Sequence, residues 1–504
     1  MFVAGKSLSL TGLAALSLAL AGCTTVGPDF TPPATPTAQR YLSTAGAPHP
    51  SDRGPDAVKG EGPVLDWWKA FGSSELDAMV ARAIENNASL EASNATLAAA
   101  REQVAAARGR ELPQVDANAE AAHRQANLAA EGFDTGALPG IDATPTFDLY
   151  SVGGGVSYDL DLFGKQRRRV ERAAAQAEAQ YHQTQAAHLA IAGQVVNQVL
   201  LIATIRERIA TAETLLDEDR RNIDLTEKRR RAGEGTLVEV LNARSQFEAD
   251  RGEIPQLGQQ LAEARHLLAT LVGVSPAELG ATDFDLAELT LPQQVPVALP
   301  SRLVHKRPDI LQAEADLHAA TAEIGVATAN LYPDITLGAT LTQASPDLFD
   351  ALDPGSRGFN IFAGLTAPIF HGGTLKAEKR AAVKRAEAAA ATYRQTVLDG
   401  FRQVADLLSA LQNDQRSVSQ QQESVDVAQR SLHLSRRSFE VGNSGVLQVL
   451  DSERLYQRAQ SALVEARARQ YLNVARLYVA TAGGWTGDMA TGDAEMMPVS
   501  DNRP

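Results

Sequence analysis

Cys23 is the only cysteine in the chain, and it closes the string Leu20-Ala21-Gly22-Cys23. Small residues before a thiol leave a signal peptidase room at the backbone, and the sulfur can take a diacylglycerol, so the string resembles a bacterial lipobox. The plainer alternative is an ordinary signal sequence followed by a free thiol. No other reactive set assembles. The nine histidines are scattered, none has the HExxH spacing, and no second cysteine completes a thiolate metal site. There is no GxxxxGK[ST] loop and no Gly-x-Ser-x-Gly elbow. Gly153-Gly154-Gly155 is not followed by a helix start at the spacing a phosphate loop needs. No catalytic residue, no metal and no cofactor other than a covalent lipid on Cys23 is expected. What remains is electrostatic chemistry: carboxylates placed beside glycine-rich turns.

Those turns come in a matched pair. Gly233 to Asn242 reads GEGTLVEVLN and Gly442 to Asp451 reads GNSGVLQVLD, 209 positions apart. The frame persists upstream, where Gln194-Val195 falls on Gln403-Val404 and Asn197 on Asp406. Leu112-Pro113-Gln114-Val115-Asp116 answers to Tyr332-Pro333-Asp334-Ile335-Thr336 with an offset of 220, as an insertion in a loop of one copy produces. The chain reads as a tandem duplication.

The elements that hold the turns are long. Lys165 to Ala232 and Thr374 to Val441 are each 68 residues without proline and with one glycine, Gly193 or Gly400. At a rise of 1.5 Å each helix would reach roughly 100 Å. Gly233 and Gly235, or Gly442 and Gly445, then form a turn where a left-handed residue can stop a helix. Return helices follow over 236–272 and 446–482. Such hairpins must pack against neighbours to be stable. Earlier, Ser74 to Arg108 lacks glycine and proline and keeps helical spacing at Leu76, Val80, Ile84 and Leu90, until Pro113 ends it.

Between these helices the period changes to two. Four segments, about 113–121, 150–163, 333–342 and 359–370, alternate apolar and polar residues, the last more loosely and with Pro368 near its end. Segments of about ten residues with one apolar face suit transmembrane β-barrel strands, whereas soluble sandwich strands run nearer five or six. Four strands cannot close a barrel, and lipid tolerates no open sheet edge. At least two chains must therefore combine, with two, three or four all geometrically possible. Asp159 and Asp161 alternate toward the polar side and are candidates to face a lumen.

Composition fits this layout. Hydrophobic residues make up 44% but aromatic ones only 5%, the bias of extended helices packed through small side chains. A formal charge of −14 argues against a nucleic-acid partner, which needs a basic footprint. Lys6 precedes an apolar stretch from Leu8 to Leu20 that reads as a signal peptide, 1–22. No run of 18 or more apolar residues occurs beyond it, so no membrane-spanning helix is expected. Residues 24–63, rich in Pro, Thr, Gly and Ser, read as an extended tether, 23–63 with the lipid-bearing residue included.

A lipid-anchored, duplicated chain of strand pairs and helical hairpins resembles the TolC-like outer membrane factors, in particular the lipoprotein exit channels of tripartite efflux pumps of the resistance-nodulation-division type. The residues that carry this are Cys23 with Val26-Gly27-Pro28-Asp29-Phe30; Trp67-Trp68 with Phe71, Leu76 and Asn87; Arg307-Pro308-Asp309-Ile310; and Gly483-Gly484-Trp485. The resemblance covers nearly the whole mature chain. It implies a mainly α fold with a transmembrane β-barrel: a homotrimer whose 12 strands enclose one pore in outer membrane lipid. Below the barrel 12 helices would form a periplasmic α-barrel, with a mixed equatorial domain built from 64–75, about 275–305 and 485–504. The implied organisation is a first repeat over 64–275, an equatorial connection over 276–305, a second repeat over 306–484 and a tail over 485–504. Thr24 follows the cysteine where lipoproteins kept at the inner membrane usually carry Asp, which points to the outer membrane. The implied partners are a periplasmic adaptor (membrane fusion protein) and an inner-membrane pump.

By the same resemblance the functional site is a gate at the periplasmic turns. Asp451 matches the position whose symmetry copies form an anionic ring; Gln448 stands where the family holds another acid, and Leu447 would add an apolar layer. The first turn offers Glu239. Phe439 occupies the place of a frequent Tyr, and Ser444 that of an Arg which latches some relatives, so that latch lacks its charge here. Arg436 and Arg437 are the nearby substitutes, and the sequence does not choose between them. Asp451 could instead cap the returning helix or face solvent, and Glu239 could be a solvated helix residue. The basic runs Lys165–Arg169 and Lys228–Arg231 could meet lipid phosphates or the barrel rim, or be solvated faces.

The leading expectation is a passive exit duct for small toxic compounds. A duct for type I protein secretion shares the fold but more often lacks the anchor; a coiled-coil tether between outer membrane and wall would not need amphipathic strands. The cargo is not written in this chain. A duct runs on gels as a heat-modifiable trimer and gives single-channel currents, whereas a tether does neither.

Overall fold

The computed structural model describes residues 25–34, 40–42, 56–59, 66–127, 142 and 144–482. Cys23, the Gly483-Gly484-Trp485 string and the expected tail 485–504 lie outside the described residues. In chain order the main elements are β1 (Asp56–Lys59), α1 (Ser74–Asn86), α2 (Ala88–Gly109), β2 (Gln114–Gln125), β3 (Thr146–Leu160), α3 (Lys165–Arg231), α4 (Leu237–Arg251), α5 (Glu253–Val272), β4 (Gln294–Val297), α6 (Pro308–Ala329), β5 (Asp334–Ser345), β6 (Arg357–Thr366), α7 (Thr374–Glu440) and α8 (Val446–Thr481). They form two compact units. One takes the stretch ending at Pro32, Ala98–Glu178 and Ala315–Ala391; the other takes Pro33–Leu97, Ala179–Glu314 and the stretch from Thr392 onward.

The first unit holds a four-stranded antiparallel sheet in the order β2-β3-β5-β6. Its register puts Val115, Val156, Ala339 and Ile361 in one row, and Tyr158, Leu337 and Ala363 in the next row on that face. Asp116, Gly155, Thr340 and Asn360 fall on the opposite face, as the period of two requires. The sheet is therefore amphipathic across its whole width. The Gly153–Gly155 run lies in mid-strand. A Cβ on Gly153 would come within 2.6 Å of the Leu341 carbonyl oxygen, so the absence of a side chain lets β3 and β5 approach. The strands differ from expectation at their ends. β2 and β3 run on to Gln125 and back to Thr146 through residues without apolar alternation, held by backbone pairing and by the His123–Asp148 side-chain contact at 2.7 Å. β6 stops at Thr366, two residues before Pro368, which has no N–H to give to a ladder.

The second unit contains the main hydrophobic core. Trp67, Trp68 and Phe71 form a buried 3-10 turn, and Trp67 stacks on Tyr478 with ring centroids 5.6 Å apart. Leu76, Val80, Leu90, Val195, Val199, Ile202, Leu257, Leu268 and Leu477 pack around them. Arg307 is buried and explains the Arg-Pro-Asp-Ile string. Its guanidinium donates to both carboxylate oxygens of Asp309, at 2.9 and 2.6 Å, to Ala480 O at 3.0 Å and to Gln403 Oε1 at 3.0 Å. Pro308 opens α6, where a missing N–H is harmless.

α3 and α7 are each 67 residues long, one fewer than expected, because the terminal Ala232 and Val441 already belong to the turns. The lone glycine of α3 has a packing role: a Cβ on Gly193 would lie 2.8 Å from Val479 Cγ2 of α8. An 18-residue stretch of α3, of mean hydropathy 1.6, is long and apolar enough to cross a membrane by length and composition. It contains no run of 18 apolar residues, and 72% of it is buried inside the chain, the mark of a core helix.

Three further expectations are corrected. The helix expected from Ser74 to Arg108 breaks at Asn87, whose ψ of 116° leaves the helical region. There Asn87 Oδ1 accepts from Ser89 N and Leu90 N and starts α2, while Nδ2 donates to Leu271 O at 2.8 Å. The return helix expected over 236–272 is two helices, because Pro255 cannot donate to Arg251 O and its ring crowds that carbonyl. The tether is not featureless either. Val26 N donates to Phe163 O, Phe30 stacks on His318 at 4.4 Å, Tyr41 Oη donates to Ala298 O, and β1 pairs in parallel with β4.

Trp67→Ala removes a ring that is 2% exposed at the centre of the core. It should cost about 3–5 kcal/mol, read as a lower denaturant midpoint, with the far-ultraviolet helix signal of the native state unchanged.

Candidate functional site

Both hairpin ends are built by one local device. Gly233, with φ 80°, and Gly442, with φ 79°, adopt the left-handed conformation that stops a helix. Glu234 N reaches back to Arg229 O at 2.9 Å and Gly233 N to Arg230 O at 3.1 Å; Asn443 N reaches Ser438 O at 2.9 Å and Gly442 N Phe439 O at 3.0 Å. These are two Schellman closures. Gly235 and Gly445 have no positive φ, and Gly445 is simply the extended residue before α8.

α8 starts with two distinct faces. Val446, Val449 and Leu450 are buried with Leu432 and Phe439 of α7. Leu447, Gln448 and Asp451 are exposed on the other side, Leu447 to 62%. Asp451 makes no side-chain hydrogen bond or ion pair among the described residues. It does not cap the helix, since Gly445 is the cap residue and Asp451 lies well inside the helix. The three residues thus form an unpartnered apolar, amide and carboxylate strip at the turn.

Phe439 is 3% exposed and lies under a guanidinium. The cation belongs to Arg229, near the end of α3, with Cζ 4.4 Å from the ring centroid and Nη1 donating to Phe439 O at 2.9 Å. Sequence reading missed Arg229, which sits in the basic run Lys228–Arg231; its alignment with an aromatic 210 positions away had no local signal. Of the two substitutes considered for the missing latch charge, Arg436 is engaged, donating to Glu453 Oε1 at 2.7 Å and pairing with Glu218 at 2.7 Å. Arg437 is exposed and only 4.0 Å from Glu440. The Oγ of Ser444 is buried with no hydrogen-bond partner among the described residues.

Glu239 performs the work of a cap. Its Oε2 accepts from Thr236 N at 2.8 Å while Thr236 Oγ1 accepts from Glu239 N at 3.3 Å, a reciprocal capping box at the start of α4. Beside it Arg244 hydrogen-bonds Glu227 and holds that carboxyl below the ordinary range.

The two other candidate aspartates separate. Asp159 is exposed on the polar face of the sheet and accepts from Thr336 Oγ1 of β5 at 2.8 Å. Asp161 instead starts α3, accepting from Gln166 N and Arg167 N, both at 3.0 Å, and pairing with the Arg167 side chain. The first basic run is likewise committed within the chain. Lys165 pairs with Asp334 at 2.9 Å, and buried Arg168 holds Asp29 and Glu171, each at 2.7 Å, and donates to Val26 O.

Long helical hairpins joined to an amphipathic four-stranded sheet are the parts from which a duct wall can be built. A family model described as outer membrane efflux protein matches residues 79–274 and 299–483. The chain is 33% identical over 458 residues to the pyoverdine export outer membrane protein OpmQ of Pseudomonas aeruginosa, across 90% of this chain and 92% of that one. It is 28% identical over 471 residues to the cation efflux system protein CusC of Escherichia coli O6:H1, across 93% and 97%. The solved outer-membrane channel OprN matches with a TM-score of 0.81 at 27% identity, over 92% of this chain and all of that one. The chain belongs to the outer membrane efflux protein family, a family of non-enzymatic transport ducts.

Glutamine can serve in a capping box as glutamate does, so Glu239→Gln should leave the first turn of α4 intact. Glu239→Ala should strip the acceptor from Thr236 N–H, cost about 1 kcal/mol, and speed amide exchange over Leu237–Val240. Equal exchange in both variants would show that the charge, not the cap, is what matters.

Proposed function

We propose that three copies of this chain complete a single duct whose periplasmic end is gated at the α7–α8 turn. The observation that carries this reading is the four-stranded sheet: it is amphipathic across its width, yet β2 and β6 are edges. An open edge is untenable in hydrocarbon, and three such sheets give 12 strands, within the range of known bacterial barrels. In this reading 64–275 and 306–484 are the two efflux repeats and supply 12 helices to a periplasmic tube. Residues 276–305 and 485–504 belong to its equatorial belt. The parallel pairing of β1 with β4 supports a mixed belt of strand and helix. Cys23 carries a lipid that anchors the chain in the outer membrane, and Asp159 faces the lumen.

The duct stores no energy. An inner-membrane pump of the resistance-nodulation-division type supplies the drive, and a periplasmic adaptor opens the tip by binding the open form better than the closed one. The cargo is a class of small solutes rather than one compound, in keeping with relatives named for pyoverdine export and for cation efflux. Three copies of Asp451 would form an anionic ring beside the layer of Leu447 and Gln448. Their mutual repulsion favours opening, and bound or screening cations oppose it. The exposure and lack of partners of Asp451 support this over a helix-capping role.

Planar bilayers test the gate. Asp451→Ala should raise single-channel conductance and lower the preference for cations over anions. Traces identical to those of the unaltered protein would remove Asp451 from the gate.

A further inference from the structure

Some three turns before the end of α3 a carboxyl group is buried where a carboxylate should not be. Asp219 is 1% exposed, and neither of its oxygens accepts a hydrogen bond among the described residues. The group beside it is another carboxyl, that of Asp250 on α4, which itself accepts from Gln246 Nε2 at 2.8 Å. Glu453 of α8, 3% exposed, adds a third carboxyl. It accepts from Asn222 Nδ2 of α3 at 2.6 Å and from Arg436 of α7 at 2.7 Å. Among the described residues Arg436 is the cation bonded to a carboxyl of the cluster, and it is shared with Glu218 of α3; Arg454 of α8 reaches only Gln246, the donor to Asp250. Three acids against one shared guanidinium leave an excess of negative charge. No trio of acid, histidine or cysteine side chains among the described residues is arranged to hold a metal ion. A proton is what can join two neighbouring buried carboxyls.

We propose that Asp219 is a proton-operated catch: as the neutral acid it lets α3, α4 and α8 pack together, and loss of its proton drives those helices apart. The claim rests on the reading of these hairpins as the moving end of the duct. The cluster borders a cleft of about 650 Å³, which Arg436 and Glu453 line with Glu218, His433 and Tyr456. Burial, then the charges of Asp250 and Glu453, push the Asp219 carboxyl up to about 8 from an ordinary 3.8, with Arg436 opposing. In the packed state Asp219 therefore keeps a proton between those values that it has lost once solvated. Stability of the packed seam is fully present below the lower value and falls as pH rises through the window, so the opening constant rises by up to about tenfold per pH unit.

Amide hydrogen exchange on the full-length protein, corrected for intrinsic rates, reads this at Asn222–Thr226 and Leu450–Glu453. In the unaltered protein protection should fall steeply between pH 5 and 8, by up to about tenfold per unit. In Asp219→Asn, which keeps the shape and cannot ionise, the slope should vanish, together with a protonated-carboxyl infrared band present at pH 6 in the unaltered protein. An unchanged slope, or a band that survives the substitution, overturns the proposal. Should Asp219→Asn fail to fold, Asp250→Asn takes its place: relief of repulsion should move the transition down by a pH unit or more, and an unmoved transition overturns the catch. Exchange reads helix packing without any current, so a chain that never conducts would sink the duct while leaving the catch standing.

Discussion

Backbone N–H and C=O groups along the outer edges of β2 and β6 have no strand beside them among the described residues, and in hydrocarbon such groups are too costly to leave unpaired. That demand organises much else in the chain. It accounts for strands of 10 to 15 residues, longer than a soluble sandwich needs. One apolar row, Val115–Val156–Ala339–Ile361, runs unbroken from β2 to β6, as the proposed lipid-facing side would require. Glycine stands in the opposite rows, at Gly153, Gly155 and Gly364, and at Gly153 it lets β3 and β5 approach. In the proposed trimer, neighbouring copies would supply the partners that the edges of β2 and β6 lack.

Stability is unevenly spread in the second unit. The Trp67–Tyr478 stack and the leucines and valines around it bury large side chains with almost no exposure. Toward the turns the packing thins to a patch of five buried residues around Phe439 and to polar ties: Arg229 on Phe439, Arg436 on Glu453, Asn222 on Glu453. Segments that must move are drawn from the least stable part of a fold, and polar ties suit that role because solvent can replace them.

Much of this was legible in the sequence wherever a local rule was in force. Proline and glycine punctuate α3 and α7 so cleanly that their limits were read to within a residue. The left-handed glycines at 233 and 442 follow from the same rule. Strand ends were less legible, because His123, Arg124 and Gln125 carry no apolar alternation and are ordered by pairing with residues 146–148. Contacts between distant positions left no trace at all. Asn87 interrupts a helix because Leu271 accepts from it, Arg229 finds Phe439, and β1 finds β4 more than 200 residues on. Asp161 was read by face, whereas its position just ahead of α3 decides its work. Glu239 stands beside the turn by its sequence position, and its partner, Thr236, is what gives it a task there.

The break between α4 and α5 makes the two hairpins mechanically unequal. α8 is one rod of 36 residues, whereas the corresponding return in the first half is jointed at Gly252, ahead of Pro255. A lateral load on the first hairpin can be taken up as flexure at that joint, leaving α5 seated in the aromatic core. The same load on the second hairpin has no compliant point and must travel the length of α8 to Tyr471 and Tyr478. Near-identical turns are thus mounted on a soft spring and a stiff one.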